Sequence, residues 1–133
     1  MPAEEEEEEV LILVAIEPQM YREVLAFSFR QQRPRARVVL VSPQTLHEEV
    51  RRTKPHLIFA GEVPPTLKQM GIFWVEVHAH DVLLEATISA NGYSTIIADI
   101  SLEDLLAVVD KAEEELPKRS RTLRRRRHWK RRN

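Results

Sequence analysis

Val10-Leu11-Ile12-Leu13-Val14-Ala15-Ile16 is an unbroken run of seven apolar residues. A strand with one wet face alternates polar and apolar side chains. A run without alternation needs cover on both faces, as in a parallel sheet held between helices. The run is also far shorter than the roughly 20 apolar residues a membrane-spanning helix requires. The rest of the chain must therefore supply more strands and the helices that cover them.

It does so at once. Glu17-Pro18 opens a helix, because proline suits the first turn, where its missing N–H is not needed. Met20, Tyr21, Val24, Leu25 and Phe27 recur at helical spacing and are expected to form its core-facing side, and Pro34 stops it. Val38-Val39-Leu40-Val41 is a second strand. Ser42-Pro43 is a cap-plus-proline start for a short helix with Leu46 and Val50 inward and a Glu48–Arg52 pair outward. Thr53-Lys54-Pro55 ends it, and His56-Leu57-Ile58-Phe59-Ala60 is the third strand. The resulting βαβαβ series implies a parallel sheet with right-handed crossovers.

Beyond Gly61 the pattern changes. Glu62 to Gly71, with paired prolines, reads as a loop holding at most one helical turn. Ile72-Phe73-Trp74-Val75-Glu76-Val77 is a fourth strand. Ala86–Ala90 and Tyr93–Ile97 flank Asn91-Gly92, a strong two-residue hairpin signal because both turn positions need φ > 0. Ala86, Ile88, Ala90, Tyr93, Thr95 and Ile97 are expected to share the hairpin's buried face. Ser101-Leu102-Glu103-Asp104 is a capping box, followed by the stripe Leu102, Leu105, Leu106, Val109, Ala112 and Leu116 up to Pro117. The expected fold is α/β and three-layered. Its sheet is mainly parallel with a βαβαβ start, a C-terminal β-hairpin and a final helix.

A length of 133 residues fits one domain, and 43% apolar residues argue against wholesale disorder. Cysteine is absent, which removes disulfides, thiolate metal sites and cysteine nucleophiles. The net charge of −1 conceals a strong asymmetry. Glu4 to Glu9 are consecutive glutamates, while Lys118 to Asn133 carries 10 of the 20 Lys and Arg and no acid. Like charges at this density repel, so residues 1–9 and 118–133 are expected to be disordered ends around a folded domain at 10–117. The acidic start does not resemble a secretory leader, and a cytoplasmic setting is expected.

Lys54-Pro55-His56-Leu57-Ile58-Phe59-Ala60-Gly61 resembles the Pro-Asp-Leu, three apolar residues, Asp segment of bacterial response-regulator receiver domains. In that family the last aspartate accepts a phosphoryl group; here Gly61 stands in its place. Ala15-Ile16-Glu17-Pro18 keeps the family's Glu-Pro but not the two acids before it, which hold magnesium. Trp74 to Asp81 is similar to the fourth receiver strand, with His78 where the switch serine or threonine falls. Gly92-Tyr93 and Asp99 to Leu106 are similar to the approach to the last receiver helix, without its lysine. The resemblance implies a shortened, receiver-like, flavodoxin-like domain that is not phosphorylated, since only Glu17 carries over and Mg²⁺ wants near-octahedral oxygen ligation.

Other chemistry is weaker. His78 and His80 lie two apart on an extended strand and face one way. Asp81, Glu62, His47 or His56 could complete a metal set, but two histidines without a longer ligand motif are common by chance, and a polar strand exit bonded to backbone or solvent is the expected reading. Only three glycines are present, too few and too scattered for a dinucleotide fingerprint or P-loop. No nucleophile elbow appears, and no catalytic residue, cofactor or metal site is assigned. The tail is the stronger partner signal. Arg124, Arg125, Arg126, Arg127, Lys130, Arg131 and Arg132 could neutralise phosphates while Trp129 stacks on an unpaired base. The expected function is a non-catalytic regulatory or protein-interaction module with an unidentified protein partner. The alternative is a nucleic-acid-associated protein binding non-specifically through its tail. A homodimer stays open.

Overall fold

The computed structural model describes residues 9–80, 83–90 and 93–116. Strands β1 (Leu11–Ala15), β2 (Arg37–Leu40), β3 (Leu57–Ala60), β4 (Phe73–His80), β5 (Leu83–Ala90) and β6 (Tyr93–Ala98) form one sheet in the order β2-β1-β3-β4-β5-β6. The described residues also form helices α1 (Gln19–Gln32), α2 (Leu46–Thr53), α3 (Pro65–Lys68) and α4 (102–116), with a 3₁₀ turn at Pro43–Thr45. No helix among them is long and apolar enough to cross a membrane.

The α/β class is as expected, but the sheet is mixed rather than mainly parallel. β2, β1, β3 and β4 are parallel neighbours with four registered residue pairs per ladder. The antiparallel ladders β4–β5 and β5–β6 carry seven and six. The reason lies in β4, which is eight residues long against four in β3. Its pairing with β3 ends at Ala60↔Glu76, and its second half pairs with β5 alone. The expected hairpin is present, with Ala90 opposite Tyr93; Asn91-Gly92 lies outside the described residues.

Helices cover both faces over the parallel half. One cluster joins Ile12, Val14, Val38, Leu57, Phe59, Val75, Ala86 and Ile88 to Ala26 and Phe29 of α1 and to Leu105, Leu106, Val109 and Ala112 of α4. Its centre includes the Phe29–Phe59 ring pair, 4.8 Å between centroids. The other cluster sets Leu13, Ala15, Ile58, Ala60 and Trp74 against Leu46 and Val50 of α2 and Leu67 of α3. β1 and β3 thus bury both faces, as their unbroken apolar runs require. On β6 only Ile97 reaches a cluster; Tyr93 and Thr95, expected inside, are exposed because the edge strand extends past its cover.

Two further expectations are corrected. α1 buries Ala26 and Phe29 and packs Leu25 against the same cluster, as expected of Leu25, but leaves Met20, Tyr21, Val24 and Phe27 exposed, so most of the apolar face that the spacing suggests points away from the core. On α2, Arg52 pairs with Glu49 rather than Glu48, while Leu46 and Val50 are inward as expected. The capping box of α4 forms reciprocally: Ser101 N–H donates to Asp104 Oδ2 at 2.9 Å, and Asp104 N–H to Ser101 Oγ at 3.1 Å. Val108 joins the buried stripe and Leu102 does not. The two helices of this layer are tied by Arg33, whose Nε and Nη2 reach the two Asp110 oxygens at 2.7 and 2.9 Å. Chiefly through that hydrogen bond, Asp110 raises the guanidinium pKa above its ordinary value.

Candidate functional site

Open α/β sheets place ligands beyond the carboxyl ends of their parallel strands, where successive strands depart on opposite sides of a central one. Here β2 and β3 flank β1, so the position is marked by Ile16-Glu17 after β1 and Gly61-Glu62 after β3. Ile16 is buried, while Glu17, Gly61 and Glu62 are exposed. A Cβ built on Gly61 meets nothing within 4 Å, and its backbone is not left-handed. Neither space nor conformation requires glycine there; the position would accept a side chain and simply has none.

The polar feature the sequence reading passed over is Glu76. At 9% exposure it is the buried charged residue among those described. Register with Ala60 puts it at the end of β3, on the face that carries Trp74. Its Oε2 accepts the Val63 N–H at 2.9 Å and lies 3.1 Å from Lys68 Nζ. Oε1 lies 3.6 Å from His78 Nε2. The same Lys68 ammonium sits 4.6 Å from the centroid of the Trp74 ring. One carboxylate therefore fastens the 61–68 segment over the strand ends by a charge-assisted bond to backbone and an ion pair. With a backbone N–H and an ammonium already on one oxygen, Glu76 is matched to holding this loop rather than to moving protons. The legible signal was an acid set alone between Val75 and Val77 in an otherwise apolar strand start.

Among the described residues, those weighed as metal ligands do not come together. His47 on α2 shares a hydrogen bond with Thr66 Oγ1 at 3.1 Å, joining α2 to α3. His56 Nδ1 accepts the Leu11 N–H at 2.9 Å at the opposite, amino-terminal end of β1 and β3. His78 and His80 both lie on β4, but Asp81 lies outside the described residues. Among the described residues no group of three or more metal-ligating side chains converges. The tail residues Arg124, Arg125, Arg126, Arg127, Trp129, Lys130, Arg131 and Arg132 also lie outside them. No family model, curated protein or solved structure matches the chain.

Proposed function

We propose that this chain is a receiver-like regulatory module that works by protein contact and performs no phosphoryl chemistry. The observation that carries the reading is the outer face of α1, where Met20, Tyr21, Val24 and Phe27 stand in solvent side by side. Contiguous exposed apolar side chains mark interaction surfaces far more often than scattered ones do. The receiver-like part is supported by the order β2-β1-β3-β4, parallel throughout, which is the flavodoxin-like order as far as β4. First and last helices on one face and the middle ones on the other support it too. Gly61, roomy but bare, supports the absence of a phosphoacceptor.

The test is a photo-crosslinking amino acid at Val24, with the same group at Glu114 on the outer side of α4 as control, in cells. Protein adducts are expected from Val24 and not from Glu114; equal, background-level yields from both would overturn the reading. Acetyl phosphate with Mg²⁺ should leave no hydroxylamine-labile phosphate on the chain, and Gly61→Asp alone should not create one. The second reading rests on the tail sequence, with its 10 of 20 basic residues. It expects single-stranded nucleic acid to bind, with affinity falling steeply as salt rises and vanishing on truncation at Pro117.

A further inference from the structure

α1 is apolar on two sides, and only one of them faces the protein. At roughly 100° per residue, the outward stripe Met20, Val24 and Phe27 lies across the helix from buried Ala26 and Phe29. Met20, Val24 and Phe27 are 63%, 58% and 61% exposed. Their spacings are four and three, and Gln31 continues the series at four. That is the seam of a helix that packs against another helix. Half-exposed Tyr21 and small Ser28 border the seam on one side; Glu23 and Arg30 border it on the other.

We propose that this seam is a self-association surface, on which two copies of the chain pack α1 against α1 in antiparallel fashion. The occupant is identified by charge. In an antiparallel helix pair each border faces the same border of the partner, run in reverse. The Glu23–Arg30 border then meets itself, with Glu23 of one copy against Arg30 of the other and the reciprocal pair on the same border, roughly 10 Å further along the helix. In a parallel pair the same border would meet Tyr21 and Ser28, and neither charge would be matched. A face whose complement is itself reversed defines a two-fold, isologous contact.

The two charged groups are already held on that border. Arg30 Nη2 donates to Val38 O at 2.8 Å, which fixes the guanidinium beside edge strand β2 and leaves further N–H donors. Glu23 Oε2 accepts from Gln19 Nε2 at 2.9 Å. Among the described residues neither has an ion-pair partner within its own chain. Across the seam Val24 meets Phe27 and Met20 meets Gln31. A single 14-residue helix pair buries less than the roughly 1,200–2,000 Å² of standard interfaces, so association is weak and concentration-dependent, on the order of micromolar or above. The proposal rests on the protein-contact reading above and names the partner.

Sedimentation of the full chain over rising concentration tests it. The mass should climb from the 15.5 kDa monomer towards twice that value. Val24→Glu should keep it monomeric at every concentration with Tm unchanged in dilute solution. Orientation is tested by disulfide formation, since the chain has no cysteine of its own. Met20→Cys chains mixed with Gln31→Cys chains should crosslink much faster than Met20→Cys chains alone, whose thiols would sit roughly 16 Å apart along the helix. A chain that stays monomeric, a dimer indifferent to Val24→Glu, or Met20→Cys chains crosslinking fastest with themselves would each overturn the proposal. If the Val24 photo-adduct contains another protein and the chain sediments as a monomer, self-association fails while the protein-contact reading stands.

Discussion

Helices α1 and α4 lie against the same sheet face and contribute to the same apolar cluster, yet their outer surfaces are unlike. α4 exposes Glu103, Ala107, Lys111 and Glu114 beyond its first residue, the usual polar back of an amphipathic helix. α1 exposes Met20, Tyr21, Val24 and Phe27. Their starts differ as well. α4 has a two-way capping box, whereas α1 begins at Pro18, with no side-chain cap, and relies on the Pro18 carbonyl to accept from Tyr21 and Arg22 N–H. One helix is specified by its own sequence. The other is oriented by contacts made from its flanks, including Arg22 to Val41 O at 3.1 Å and Arg30 to Val38 O. Apolar content alone does not say which side of a helix faces home.

The sharpest way to break the comparison is to truncate both sides of α1. Phe29 is fully buried against Phe59, so Phe29→Ala should cost about 3–5 kcal/mol through lost burial and a cavity. Phe27→Ala, two residues away and outward, should change the stability of the dilute chain by less than about 0.5 kcal/mol. Urea denaturation at low protein concentration measures both. Comparable losses from the two variants would mean that the outer face packs against part of the same chain.

On α4 the corresponding question is how much the cap contributes. Ser101→Ala removes the oxygen that accepts from Asp104 N–H and should cost about 1 kcal/mol. A loss below about 0.3 kcal/mol would mean that packing of the stripe alone sets the start of α4. A smaller effect is expected where the helices are tied. Asp110→Asn weakens the forked contact with Arg33, the side chains being 32% (Arg33) and 45% (Asp110) exposed. The loss should be less than that of the cap and should disappear in roughly 1 M salt, where the Debye length is about 3 Å. Persistence of the loss at high salt would mark the pair as a geometric brace rather than an electrostatic one.

These contrasts also explain what could be read in advance. α4 was legible because its capping box, stripe and end agree on one register. β1 and β3 were legible because an apolar run without alternation has only one home in an α/β sheet. The β5–β6 pairing followed from turn chemistry. The inward face of α1 was not legible: Met20, Val24 and Phe27 have as good a helical period as Leu25, Ala26 and Phe29, and only the tertiary placement separates them. The residue pattern ended β4 at Val77, whereas the receiver resemblance carried it to Asp81, and the strand runs to His80. Val75-Glu76-Val77-His78-Ala79-His80 alternates apolar and polar residues, the pattern of a strand with one covered face, and continues past the point where β3 stops. At the strand ends, Gly61 was legible as a missing side chain. That Glu76 would be spent on Val63 and Lys68 was not, because a hydrogen bond across a loop leaves no periodicity.

The smallest expected effect is also the most specific, because its sign separates an idle surface from an occupied one. Met20→Gln, Val24→Lys and Phe27→Gln together give α1 the kind of back that α4 has. In the dilute chain these side chains lose little buried contact, since all three stand mostly in solvent. Helix propensity then decides the outcome. Val and Phe lose side-chain rotamer freedom against the preceding turn, whereas Lys and Gln lose less, and the differences are a few tenths of a kcal/mol per position. The triple variant should therefore be as stable as the parent or more stable, by up to about 1 kcal/mol. At high concentration the ordering should reverse, because the parent gains stability from any partner its folded form binds and the variant does not. A crossover of the two melting temperatures with concentration is the expected signature. Parallel curves, with the variant ahead throughout, would mean that the apolar back of α1 meets no second copy. A variant less stable than the parent even in dilute solution would place that back inside the fold, and the contrast between α1 and α4 would vanish.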